Sequence, residues 1–280
     1  MYAGSVARSH PTILLIATFV VLFGLAFGSF LNVCISRLPR HESVVRPGSR
    51  CPDCSTPILT RDNIPLLSWI ALRGRCRACH RRIPWRYAAV EFATAALFLL
   101  CFLQFSLTLK GIGMAVLCFL LLGLAVTDAE TMRLPDAFTL PGLLLGLGYA
   151  GLLPEPTVAA HFRAAGLALL WAILAALVLL LISGAYFLLR HRQGLGIGDI
   201  KLLAMIAAWL GPELAALTFI VAAFATAFYA VALVAVSHNR RATLTAKLPF
   251  GSFLCGAALY ALFRGEPILR WYLHFYGIRY

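Results

Sequence analysis

Two Cys-x-x-Cys pairs, Cys51-Pro-Asp-Cys54 and Cys76-Arg-Ala-Cys79, and a few acids set in or beside apolar runs are the residues whose types and spacing suit chemistry. Two residues between thiols let a tight turn aim both sulfurs at one ion, and two such knuckles complete a tetrahedral four-thiolate zinc site. The 21 residues between the pairs slightly exceed the usual gap, but lengthening a loop costs little entropy. Four protein ligands leave no position for water, so the expected zinc is structural. Disulfides or free thiols are the alternatives, of which a reducing compartment disfavours the disulfides, and His80 is an alternative ligand. Cys34, Cys101, Cys118 and Cys255 stand singly in apolar surroundings and read as small hydrophobes.

Ionisable side chains within a membrane are costly, so function is their default reading. Four acids qualify: Glu91 a turn inside the second apolar run, Asp128 at the end of the third, Asp136 at the start of the fourth and Asp199 at the start of the sixth. Asp199 closes Gly194-Leu-Gly-Ile-Gly198-Asp199, where Gly196 and Gly198 would let a substrate backbone come close. The same residues equally suit a plain helix entry, with Asp199 as a cap favoured by the helix dipole. Asp128 sits where that dipole opposes a negative charge, which argues against a simple surface acid. Asp136 suits the first turn of a helix. Glu91 is open between pairing with an arginine, orienting a substrate amine and bonding another helix. Asp128 and Asp199 are expected at the same edge of the bilayer and could face each other across one cleft. Aspartic hydrolysis requires such a pair: one ionised carboxylate takes a proton from water while its protonated neighbour polarises the carbonyl.

Positioning these groups falls to the apolar runs. Of the 280 residues 61% are hydrophobic and 12% charged, with mean hydropathy +0.86, whereas globular domains run about 45–50% apolar and about 25% charged. A single soluble domain is excluded. A spanning helix takes about 20 apolar residues. Runs at 12–34, 88–106, 111–127, 137–153, 164–188, 200–210, 214–237 and 249–263 predict an all-α polytopic membrane protein of about eight transmembrane helices, the sixth and eighth short. The first run is too long for a signal-peptide core and reads as a retained anchor. Between Ser36 and Tyr87, eleven arginines face three acids, Glu42, Asp53 and Asp62. Cytoplasmic loops collect basic residues, which puts this loop inside and the N-terminus outside. Arg133, Arg190, Arg192, Arg240, Arg241 and Lys247 then share the inner side, and Lys110 and Arg163 the outer. Arg264, Arg270 and Arg279 fit poorly in an outer C-terminal tail. The net charge of +13 is thus accounted for by a lipid bilayer, and no nucleic-acid signature accompanies it. The expected organisation is a first transmembrane helix at 1–35, a small zinc-binding cytoplasmic insertion at 36–87 and a transmembrane domain at 88–280 that carries Asp128 and Asp199.

Taken together the motifs resemble a known family, the bacterial type IV prepilin leader peptidases, also called prepilin peptidase/N-methyltransferases, which are intramembrane aspartic proteases of the GxGD type. The resemblance covers nearly the whole chain. Gly28-Ser-Phe-Leu-Asn-Val-Cys-Ile-Ser-Arg-Leu-Pro39 is similar to the signature closing the family's first helix. Ser49-Arg-Cys-Pro-Asp-Cys54, Asn63 to Cys76, Arg86-Tyr87 and Glu91 resemble its cytoplasmic domain. Asp128, Leu134-Pro-Asp136 and Thr139-Leu-Pro141 resemble its first aspartate region, Gly196-Ile-Gly-Asp199-Ile-Lys-Leu202 its second, and Pro249-Phe-Gly251 its last short motif. Departures are Pro84 where serine is common, Ala88 where proline is frequent and Ser252 where a second proline is usual.

The resemblance implies Asp128 and Asp199 as the catalytic pair and Cys51, Cys54, Cys76 and Cys79 as zinc ligands. It implies cleavage of the short positive leader from prepilins and type II secretion pseudopilins, after a glycine, at the cytoplasmic face of the bacterial inner membrane. It further implies methylation of the new N-terminal amine from S-adenosylmethionine, for which the residues themselves show no Rossmann-type glycine loop. The rival reading is a transporter or membrane scaffold whose intramembrane acids relay protons or bind a cation. Transporters often show paired halves with matching broken helices, and this sequence has no such repeat.

Overall fold

The computed structural model describes residues 10–154, 156–191, 194–237 and 248–275. Its regular elements are helices: α1 (His10–Arg37), the short α2 (Leu67–Ala71), α3 (Arg86–Phe105), α4 (Leu109–Thr131), α5 (Asp136–Leu152), α6 (Val158–Arg190), α7 (Ile197–Val236) and α8 (Phe250–Phe275). Five stretches are long and apolar enough to cross a membrane: Pro11–Arg40, α3, α4, α6 and α7, with α5 a shorter apolar helix. The expected sixth and seventh runs are the two helical segments of α7, which meet at a kink. The helix is broken at Gly211, whose φ of 81° is non-helical, and the following Pro212 supplies no N–H to close the turn. The eighth run extends past its expected end at 263, so Arg264 and Arg270 lie in helix rather than in a tail, Arg270 paired with Glu266 at 3.2 Å. Arg192, Arg240, Arg241, Lys247 and Arg279 lie outside the described residues.

The chain divides into two compact units, Met1–Arg37 with Glu42–Phe119, and Leu38–His41 with Leu120–Tyr280, so the division falls within α4. In the first unit α1 packs along α3. Small residues set their spacing: a Cβ at Gly24 would lie 2.7 Å from the Cα of Ala95, and one at Gly28 would lie 2.6 Å from the Cα of Glu91. One turn further along the same face, Asn32 donates through Nδ2 to the Tyr87 carbonyl at 2.9 Å. Leu15 and Phe19 on α1 are exposed, which in water would be a liability but in lipid is the apolar outer face that a spanning helix needs.

In the second unit α7 is the hub, packing against α5, α6 and α8. From Ile200 to Trp209 every described side chain except Lys201 is buried, as befits a helix apolar on all sides. Trp209 donates its indole N–H to the Gly142 carbonyl at 2.8 Å and stacks on Tyr149 with ring centroids 5.0 Å apart. Ala204 and Ala208 of α7 meet Ala172 of α6, small side chains that let helices approach closely in a membrane.

Candidate active site and metal centre

The loop between α1 and α3 builds two knuckles of the same design. In the first, the Cys51 N–H donates to the Thr56 carbonyl at 3.0 Å and the Ser55 N–H to the Cys51 carbonyl at 2.9 Å. In the second, the Cys76 N–H donates to the Arg81 carbonyl at 2.9 Å and the His80 N–H to the Cys76 carbonyl at 3.0 Å. Ser55 and His80 both turn the chain through positive φ, 58° and 57°. Backbone geometry thus uses His80 as the turn residue, and its ring is not part of the thiol cluster.

The four cysteines are free thiols whose sulfurs all lie within 4.8 Å of one another, Cys51 and Cys79 at 3.8 Å and Cys54 and Cys76 at 4.0 Å. Metal–sulfur bonds of about 2.3 Å at tetrahedral angles place sulfurs about 3.8 Å apart, so the donor set fits one four-coordinate ion. The Thr56 hydroxyl, and then its backbone, hold the Cys54 thiol below its ordinary range. Asp62 and Arg77 form a two-pronged ion pair at 2.6 and 2.8 Å. It ties the second knuckle to the excursion between the pairs.

Glu91 is buried and accepts from the Leu66 N–H at 2.8 Å. It therefore anchors the backbone turn before α2, where Leu66 has φ 57°. Cys101 and Cys118, expected to stand singly, meet at 3.7 Å between α3 and α4, a pairing of helix faces that no local spacing announces.

In the second unit Asp128 lies in the last turn of α4 and is 6% exposed. Its Oδ2 accepts from the Ser252 N–H at 2.7 Å and faces the Ser252 hydroxyl at 3.1 Å. Asp199, in the first turn of α7, is half-buried and accepts from the Gly196 N–H at 3.2 Å, while its own N–H donates to the Gly196 carbonyl at 3.1 Å. Asp199 therefore does cap its helix, and capping does not remove it from the site. Leu134, in the turn between α4 and α5, bridges the two regions. A Cβ at Gly198 would lie 3.1 Å from its Cβ, and one at Gly251 would lie 2.9 Å from its Cδ1 and 3.0 Å from the Asp128 carboxyl carbon.

The two carboxylates are close enough for the charge of Asp128 to act on Asp199, and buried Cys255 feels both. Gly196 is exposed and Gly198 half-buried beside them. Asp136 stands apart, paired with Lys201 at 2.7 Å where the heads of α5 and α7 meet. Ser252 is the site residue that the functional reading missed; its only signal was that it replaces a proline.

A multi-helix apolar chain with paired carboxylates in one unit and a four-thiol cluster in the other defines the class. Residues 22–105 match the bacterial peptidase A24 N-terminal domain and residues 115–231 the type IV leader peptidase family. The chain is 34% identical to the prepilin leader peptidase/N-methyltransferase of Aeromonas hydrophila, over 91% of this chain and 92% of that protein. It is 34% identical to the protein of that name from Pseudomonas aeruginosa, over 97% of each. It is 42% identical to the one from Klebsiella pneumoniae, over 69% of this chain and 85% of that protein. The chain belongs to the type IV leader peptidase family. No solved structure matches it.

Proposed function

We propose that this protein removes the leader from prepilins and pseudopilins, cutting after a glycine at the cytoplasmic face of the inner membrane. The observation that carries the reading is that Asp128 and Gly198-Asp199 converge on Leu134, which a Cβ at Gly198 would meet at 3.1 Å and one at Gly251, itself 3.0 Å from the Asp128 carboxyl carbon, would meet at 2.9 Å; the charge of Asp128 reaches Asp199. With one proton shared between them, the ionised carboxylate takes a proton from a water whose oxygen attacks the scissile carbonyl carbon. The protonated carboxyl meanwhile gives its proton to the carbonyl oxygen. Collapse of the tetrahedral intermediate breaks the C–N bond: the leaving amine takes up the proton held by the first carboxylate, and one hydroxyl of the intermediate returns its proton to the second, which restores the shared-proton pair. Gly196 and Gly198 leave room for the substrate backbone beside Asp199, and the substrate's apolar helix enters from lipid.

Cys51, Cys54, Cys76 and Cys79 would hold a structural zinc that fixes the loop and leaves no coordination site for water. The relatives' names also carry a methyltransferase activity, and we extend it here as transfer to the new N-terminal amine from S-adenosylmethionine. The hydrolysis does not draw on that donor. The test is the intact mass of a purified prepilin incubated with the protein in detergent, with and without S-adenosylmethionine. Loss of the leader plus one methyl supports both activities, and loss of the leader alone retires the transferase. Asp128→Asn and Asp199→Asn should each abolish cleavage while remaining folded; retained cleavage in either removes that residue from the mechanism. An unchanged mass with wild-type protein would favour the transporter or scaffold reading.

A further inference from the structure

Ser252 makes more contacts to Asp128 than packing requires. Its backbone N–H reaches Asp128 Oδ2 at 2.7 Å, and its Oγ lies 3.1 Å from the same oxygen and 2.8 Å from the Ala125 carbonyl. A hydroxyl has a single proton to donate, so it can serve only one of those two acceptors at a time. With Asp128 ionised, the stronger charge-assisted bond goes to the carboxylate. With Asp128 protonated on Oδ2, the carboxyl O–H donates to Ser252 Oγ, whose own proton turns to the Ala125 carbonyl. Either way every donor in the group finds an acceptor.

We propose that Ser252 is a positioning residue for the peptidase reaction. Its N–H and switching hydroxyl favour the negative charge of the resting pair on Asp128, making it the base, and leave Oδ1 to meet the attacking water. This deepens the peptidase reading and rests on it. By comparison Asp199 receives the Gly196 N–H at the longer 3.2 Å, which suits the partner that keeps the shared proton. The titratable groups near Asp128 are Asp199 from α7, whose carboxyl feels the charge of Asp128, and the buried thiol of Cys255 from α8, which feels both carboxylates. From the α4–α5 turn it meets the apolar Leu134 across Gly251, and Asp136 at the head of α5 is engaged by Lys201.

The test compares Ser252→Ala, which keeps the N–H and loses the hydroxyl, with Ser252→Thr, which keeps both. For cleavage of a purified prepilin in detergent, Ser252→Ala should lower kcat about tenfold with KM unchanged and move the acid limb of the pH–rate profile up by about one pH unit. The basic limb should hold, because the doubly ionised pair loses the same hydrogen bond as the singly ionised one. Ser252→Thr should restore both the rate and the acid limb. A profile unmoved in Ser252→Ala, or a threonine variant as impaired as the alanine, overturns the assignment while leaving the peptidase reading intact. A second readout needs no substrate: the infrared carboxyl band of Asp128, in an Asp199→Asn background, should titrate about one pH unit higher once Ser252 is alanine. If the wild-type protein cleaved no prepilin, the peptidase reading would fall, and an unmoved band would still refute the role of Ser252 on its own.

Discussion

At the scale of single residues, local spacing reveals some groups and hides others. The two Cys-x-x-Cys knuckles are visible in sequence because each is a self-contained turn, and the four sulfurs meet as that spacing predicts. Ser252 is 124 residues from Asp128, and nothing local to either announces their contact; in sequence it registers only as a serine where the resembled pattern has proline. The ion pair of Asp62 and Arg77 is likewise hidden. Asp62 enters the sequence reading as one of three acids among eleven arginines, and the fold alone selects Arg77 as its partner. That partner's hydrogen bonds and charge hold the Asp62 carboxyl below its ordinary range. A depressed value means that the pair steadies the loop above the ordinary carboxylate range and ceases to do so as pH falls through the lowered one. The effect is modest because Arg77 is half exposed and water screens it. Arg77→Gln should let the Asp62 titration, followed by carbon-13 NMR, rise toward the ordinary range. An unmoved titration would assign the depression to another group.

At the scale of elements, the apolar runs were legible because a membrane demands long uninterrupted apolarity, and most helices begin and end close to the expected bounds, whereas α8 continues past 263 to Phe275. What the pattern could not show was which helices touch. Gly251 gives a direct example: at the start of α8 it lies against both Leu134 and Asp128, so its missing side chain is what lets three segments converge. Gly251→Ala would push a Cβ to 3.0 Å from the Asp128 carboxyl carbon, and the carboxyl, as the movable partner, should yield. The expected outcome is a loss of cleavage of at least about tenfold, since small displacements of catalytic groups cost that much or more. Thermal unfolding should change little. Gly148→Ala on α5, where a Cβ would meet nothing within 4 Å, is the matched control and should retain full activity. Equal activity in the two variants would mean that the Asp128 carboxyl tolerates the crowding and that convergence at Gly251 is not required.

At the scale of the whole molecule, the chain places its two chemistries in different compact units, the thiol cluster in the first and the carboxylates in the second. Their energetics differ accordingly. The second unit is held by extensive burial around α7, whereas the loop carrying the thiols is short of core: of its residues from Glu42 to Trp85, only Cys51 and Gly74 are buried. A segment of that size needs a metal or disulfides to hold its fold, and its cysteines are free thiols. Stripping the metal with a chelator should therefore remove one equivalent of zinc and open the segment between Ser43 and Trp85 to limited proteolysis. Helical circular dichroism should change little, because the long helices do not depend on the ion. Cleavage of prepilin should fall by less than about tenfold if the metal only shapes the loop, since four thiolate ligands leave it no open position for catalysis. Restoring zinc should close the protease-sensitive segment again. If chelation instead abolished cleavage while the helices and both carboxylates stayed in place, the loop would have to hold part of the substrate during the cut.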